Sequence, residues 1–255
     1  MTMKIAVVAQ NKGGVGKTAD AVHIAFHAAE RGLKTLVVDL DTGNLSKTMR
    51  QHRLEVPASA LFLDEAPAIP EDTGPISLLH ADRLLANVIY MPVERALRNF
   101  PVNLREFEKQ GFDLCVIDTP ASIGIATITA LRTADAVISP VEMEDYSIEG
   151  IKDMMRVIVG AKQHNPKLHF LGIVPNRVDR RNPRQVKHLA RYKPHTANFW
   201  HPLWCACVPA LQRHWRQENP SGKAERRLRA RQALRCAPSA ITSCRPWEWR
   251  NEFSR

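Results

Sequence analysis

Up to residue 190 the chain has no tryptophan and a single cysteine, and nowhere does it hold an apolar stretch approaching the ~18–20 residues of a membrane span. A transmembrane helix is thereby excluded. The single cysteine, Cys115, lies inside an apolar run, where a free thiol behaves as a small hydrophobe; this fits a reducing compartment. Residues 1–9 run straight into a glycine loop, so they are expected to form a strand and not a signal peptide, and the protein is expected to be cytoplasmic. No internal repeat is visible, and aspartate vanishes altogether after Asp179. What remains, 255 residues of which 44% are apolar, suffices for one sizeable α/β core.

The most informative segment is Lys12-Gly13-Gly14-Val15-Gly16-Lys17-Thr18, directly after the apolar run Ile5-Ala6-Val7-Val8-Ala9. Such a run reads as a buried strand. The segment Ala19 to Arg31 then places Val22, Ala25, Phe26 and Ala29 on one helical face, so the glycines occupy a strand-to-helix turn. Glycines let backbone N–H groups turn inward around phosphate oxygens, and the helix N-terminus adds its positive end. Lys17 can reach the β/γ-phosphates and the Thr18 hydroxyl can take Mg²⁺. Gly13, Gly14, Val15, Gly16, Lys17 and Thr18 are therefore the candidate nucleotide-binding residues. A turn that merely joined strand to helix would not explain Lys-Thr after the last glycine.

The strict phosphate-loop pattern has glycine at position 11, and this chain has Asn11, a residue that tolerates left-handed backbone. An extra lysine, Lys12, follows. In this the sequence resembles the deviant Walker A family of ParA/MinD-type ATPases, whose signature lysine reaches across a dimer interface to the partner's nucleotide. The resemblance implies that Lys12 is catalytic in an ATP-bound homodimer; spacing alone shows a second cation beside the phosphates.

Further strands read at Lys34–Asp39, Ile76–His80, Phe112–Asp118, Ala136–Ser139 and His169–Val174, with helices over Val93–Gln110, about Ile123–Arg132, Ile148–His164 and from Pro183. Residues 52–75, with four prolines, read as an irregular excursion. Strand–helix alternation of this kind predicts an α/β fold: a mostly parallel, doubly wound sheet with helices on both faces, of the P-loop NTPase type. Ligands then gather at the strands' C-terminal ends.

Three acidic residues fall at those ends. Asp39 and Asp41 follow the second strand, and Asp118 ends the run Leu114-Cys115-Val116-Ile117. A carboxylate there, beside a phosphate loop, is the Walker B arrangement that holds Mg²⁺ directly or through water. Asp118-Thr119-Pro120-Ala121-Ser122-Ile123-Gly124 resembles the family's second switch. Asp39-Leu40-Asp41-Thr42-Gly43-Asn44 resembles its first switch, where the second aspartate orients the attacking water. The resemblance thus gives Asp41 that role and Asp39 a supporting one; two carboxylates solvating a turn is the blander alternative. Val174-Pro175-Asn176-Arg177-Val178-Asp179 resembles the segment near the adenine, which implies a base contact for Asn176, against the alternative of an Asn closing a turn. The matches run from residue 3 to about 190 and are nearest to plasmid partition ATPases of the ParA/IncC type.

The net charge of +10 is concentrated at the C-terminal end: residues 191–255 carry +9 and residues 1–190 only +1. Before that end, Arg177, Arg180, Arg181, Arg184 and Lys187 crowd one stretch. Partition ATPases bind DNA non-specifically as ATP-bound dimers, and Lys/Arg contacts to phosphates carry such binding. Arg180, Arg181, Arg184 and Lys187 are the candidates, with a solvated basic face as the alternative. Residues 191–255 hold all five tryptophans and four of the five cysteines, without sustained apolar periodicity. Their cysteine spacings do not form a zinc pattern. Loss of periodicity together with enrichment in Trp, Cys, Arg and Pro is what out-of-frame translation gives. The expected division is a ParA-like ATPase domain over 1–190 and a tail over 191–255 that is disordered or out of frame, the rival being a divergent DNA-binding tail.

The resemblance implies a DNA-partitioning ATPase that uses ATP and Mg²⁺. It would cycle between a homodimer on non-specific DNA and a released form in a nucleoid-associated, cytoplasmic setting, stimulated by a ParB-like centromere-binding protein. A MinD-like membrane-cycling ATPase would need an apolar amphipathic C-terminal helix, which this tail lacks. A damaged nucleotide binder without activity is the third reading. An iron–sulfur electron carrier would need cysteine ligands in the core, where only Cys115 occurs.

Overall fold

A computed structural model describes residues 3–41, 44–144 and 147–192, and the expectations made for residues 193–255 lie outside the described residues. Seven strands form one sheet: β1 Lys4–Val8, β2 Thr35–Asp39, β3 Arg53–Pro57, β4 Ile76–His80, β5 Leu114–Asp118, β6 Ala136–Glu142 and β7 His169–Asn176. Six α-helices accompany them: α1 Lys17–Glu30, α2 Asn44–Thr48, α3 Val93–Glu106, α4 Ile125–Thr133, α5 Ser147–His164 and α6 Pro183–Tyr192. The strand order is β3-β4-β2-β5-β1-β6-β7, and every pairing is parallel.

A parallel sheet needs cover on both sides, because its crossovers lay helices on both faces. The alternation of strand residues shows this. Ile5, Val7, Leu36, Val38, Cys115 and Ile117 point to one face and pack with Phe100 and Leu104 of α3, Leu131 of α4, and Met154 and Ile158 of α5. Val8, Val37, Leu78 and Val116 point to the other and meet Ala21, Val22 and Ala25 of α1 and Leu45 of α2. The doubly wound parallel fold expected from the sequence is the fold observed.

Some elements differ from expectation. The inner face of α1 is built from Ala21, Val22, Ala25 and Ala28, while Phe26 is exposed and meets His52 edge-on at 5.6 Å. Within the supposedly irregular 52–75, β3 forms, burying Leu54 and Val56 and turning Arg53 and Glu55 outward; it is an edge strand with a shifted register to β4. The fifth and last strands of the reading run longer: β6 continues through Pro140 to Glu142, and β7 reaches Asn176. Among the described residues no helix is long and apolar enough to cross a membrane.

β5 lies between β1 and β2 in the middle of the sheet, so the chain reverses its winding direction there. The register aligns Val8 with Asp118 and Asp39 with Asp118. The loop after β1, the carboxylate ending β5 and the carboxylate ending β2 thus emerge side by side.

Candidate functional site

Residues 10–16 form the turn from β1 into α1. Gly14 and Gly16 have φ of +78° and +100°, in the left-handed region where a side chain is strained. At Gly16 space also forbids one: a Cβ there would lie 2.5 Å from the Asn176 amide nitrogen. Lys17 opens α1, and its ammonium donates to the Lys12 carbonyl at 3.4 Å, folding back over the loop. Burial lowers the Lys17 pKa, while the charges of Asp118 and Asp41 work against that shift. Lys17, Asp41 and Asp118 therefore lie close enough for their charges to interact.

Thr18 Oγ1 donates to Asp118 Oδ2 at 2.7 Å across a sequence separation of a hundred residues. Asp118 is wholly buried, and its Oδ1 has no hydrogen-bond partner. Burial pushes its pKa up to about 7, opposed by the Thr18 hydrogen bond and reinforced by Asp39. An orphaned buried carboxylate oxygen next to a threonine hydroxyl is a hard-oxygen donor set that suits Mg²⁺. These two residues fit the metal role expected of them. Among the described residues, no group of three or more His, Cys, Asp or Glu forms another metal site.

Asp39 is also fully buried, but its carboxylate is occupied. Oδ1 accepts the Asp41 N–H at 3.1 Å, and Oδ2 accepts the Ser46 N–H at 2.8 Å and the Ser46 hydroxyl at 2.6 Å. Burial raises its pKa and these hydrogen bonds oppose the rise. This is the geometry of a support: Asp39 holds the backbone that carries Asp41.

Asn176 sits at the end of β7 with its amide directed under the loop. Its Nδ2 donates to the Val15 carbonyl and to Asp20 Oδ2, both at 3.1 Å, and its Oδ1 is buried without a partner. Both amide hydrogens are committed inside the fold, so the structure gives Asn176 the task of bracing the phosphate loop. Its partner Asp20 escaped the sequence reading, although a lone carboxylate beside Ala21 on the apolar face of α1 was a signal. Burial pushes the Asp20 pKa up to about 8, against the Asn176 hydrogen bond and with help from the Asp118 charge. The folded chain thus keeps a proton that the unfolded chain releases near 3.8, and stability falls as pH rises through that window. Asp20→Asn, which keeps the acceptor for Asn176 and never ionises, is expected to raise the melting temperature. The gain should be small near pH 4 and grow toward pH 8; thermal melts across that range check it.

At the loop's outer rim Lys12 is partly exposed and pairs with Glu142 at 3.7 Å and Glu144 at 3.4 Å. Glu142 also receives Arg177 at 2.8 Å, whose guanidinium lies beside Gly14 and whose backbone is left-handed, with φ of +52°. The sequence reading placed Arg177 among the basic residues but did not foresee that it and the acidic pair meet beside the phosphate loop, because the three come together only when β6 and β7 end side by side. Farther along, Arg180 and Arg181 precede α6, and Arg184 and Lys187 lie on it one turn apart; all four are exposed. The Asn182 side chain accepts the Arg184 N–H at 3.0 Å and so fixes the start of α6.

Comparison with known proteins places this geometry. The family model described as "AAA domain" matches residues 3–170. Protein IncC of Escherichia coli is 43% identical over 199 residues, covering 74% of this chain and 55% of that protein, so the chain spans about half the length of that relative. The chromosome-partitioning ATPase Soj of Thermus thermophilus is 29% identical over 198 residues, covering 76% of this chain and 78% of that one. Among solved structures, cobyrinic acid a,c-diamide synthase from Mycobacterium smegmatis with bound ADP and magnesium superposes with a TM-score of 0.67 at 27% identity. The match covers 84% of this chain and 96% of that one.

Proposed function

The chain belongs to the AAA domain family of phosphate-loop proteins and to its ParA-type partition branch, and from that premise we propose that it binds ATP with Mg²⁺ and hydrolyses it to drive the segregation of plasmid or chromosomal DNA. The observation that carries this reading is the convergence of Lys17, Asp41 and the Thr18–Asp118 contact at the ends of β1, β2 and β5. Phosphoryl transfer demands positioned charge more than covalent chemistry. Lys17 neutralises phosphate oxygens, Asp41 orients the attacking water, and Asp39 holds Asp41 in place. Thr18 and Asp118 would hold a magnesium ion, which would offset charge on the phosphates.

We assign the ATPase unit to residues 1–190. In the ATP state two copies pair, Lys12 serving the partner's nucleotide, and the pair docks on non-specific DNA in the cytoplasm until a ParB-like centromere-binding protein stimulates hydrolysis. ATP turnover by the full chain, with and without a random-sequence duplex, tests this. Turnover that rises with DNA supports the proposal, and absence of turnover under both conditions overturns it.

Docking through Arg180, Arg181, Arg184 and Lys187 has its own signature. Binding is expected to require ATP, to ignore sequence and to weaken steeply with salt, because each neutralised phosphate releases counterions. Reversing the charge at Arg184 and Lys187 should lower the slope of log affinity against log salt by about 2, roughly 0.9 per lost phosphate contact. Fluorescence anisotropy on a labelled duplex measures it. Binding to anionic vesicles but not to duplex DNA would favour a membrane-cycling ATPase instead.

A further inference from the structure

Ser46 stands where three elements meet. It lies within the short helix α2, its hydroxyl and its N–H both donate to Asp39 Oδ2, and its Oγ accepts the N–H of Ala81 at 2.8 Å, directly after β4. The other oxygen of Asp39 accepts the Asp41 N–H. An unbroken path of hydrogen bonds therefore runs from the end of β4 through Ser46 and Asp39 to the backbone of Asp41. Asp39 has no exposure to solvent, so water cannot replace a lost donor without opening the site.

A serine that served only to cap α2 would spend its oxygen on an N–H of the helix's own first turn. Ser46 spends it on the N–H of Ala81, 35 residues away, where the chain leaves β4. The tie fixes α2 to the C-terminal end of β4. We infer that Ser46 is a positioning residue for hydrolysis, holding the Asp39 carboxylate in the orientation that sets the Asp41 backbone. The inference rests on the reading of Asp41 as the residue that orients water. Ser46 touches no substrate in this scheme: its hydrogen bonds go to Asp39 and to Ala81, not to Lys17 or the phosphate loop, so nucleotide affinity is expected to survive its loss.

The test uses the full chain with ATP, Mg²⁺ and duplex DNA, measuring kcat and, separately, the affinity for a fluorescent ATP analogue. Ser46→Ala is expected to lower kcat about 10- to 100-fold, the cost of a small misplacement of a reacting group, while the analogue's affinity stays unchanged. Ser46→Thr, which keeps the hydroxyl, should restore most of the rate. Should Ser46→Ala fail to fold, Ser46→Cys keeps the shape with weaker hydrogen bonds and carries the same comparison. A normal kcat in Ser46→Ala, or kcat and affinity falling together, overturns the inference. Asp41→Ala separates the two levels. If it abolishes turnover while Ser46→Ala is silent, the inference alone fails; if Asp41→Ala hydrolyses normally, the reading of Asp41 fails as well.

Discussion

Lys17→Ala is expected to abolish measurable ATP binding and turnover together. Lys17 is the buried cation of the loop, and it faces the charges of Asp118 and Asp41. Removing it takes away the group that meets the phosphates and leaves those two carboxylates without their counter-charge, so an incoming polyanion would meet net negative charge. Truncating one partner of a buried charge set typically costs about 2–5 kcal/mol or more, which is about thirtyfold to several thousandfold in affinity. Equilibrium titration with a fluorescent ATP analogue, on protein whose fold is verified by circular dichroism, gives the answer. Wild-type affinity in the variant would sink the phosphate-loop assignment.

Lys12→Ala should behave differently, although it alters the same loop. Lys12 pairs at the rim with the exposed Glu144 at 3.4 Å, a solvent-screened contact worth about 0–1 kcal/mol, and more loosely, at 3.7 Å, with Glu142, which already holds Arg177 at 2.8 Å. The side chain can therefore leave them at small cost and reach another subunit. Lys12→Ala is expected to bind the analogue nearly as well as the wild type, yet to stay monomeric with it and to lose hydrolysis. Sedimentation velocity with a non-hydrolysable analogue, paired with a turnover assay, separates the two lysines. A variant that dimerises and hydrolyses normally would make Lys12 an ordinary loop residue.

Central strands were the most legible part of the fold. β1, β2 and β5 are buried on both faces, so their residues form continuous apolar runs that need no partner to be recognised. Lys17, Thr18 and Asp118 were legible for a related reason: each is fixed by its place relative to one of those runs. β3 was not, because only Leu54 and Val56 mark its buried side and prolines surround it. Phe26 misled the reading of α1, since two nearly equivalent faces carry apolar residues and only the sheet decides which is covered. The Asp20–Asn176 brace joins residues 156 apart, and the Lys12–Glu144 contact residues 132 apart. Local spacing cannot encode such meetings; they follow from the strand order.

That strand order makes the sheet a ruler. Asp39 and Asp118 occupy one rung on adjacent strands, with Val8 on the next strand over, and adjacent strands are spaced at about 4.8 Å. No choice of rotamer can widen that interval, and a slip of β5 by one residue would turn Asp118 to the opposite face and offer Ile117 in its place. Transplanting the chemistry to another scaffold would thus mean carrying over three neighbouring strands in register, since the four or five polar side chains have no fixed separation of their own.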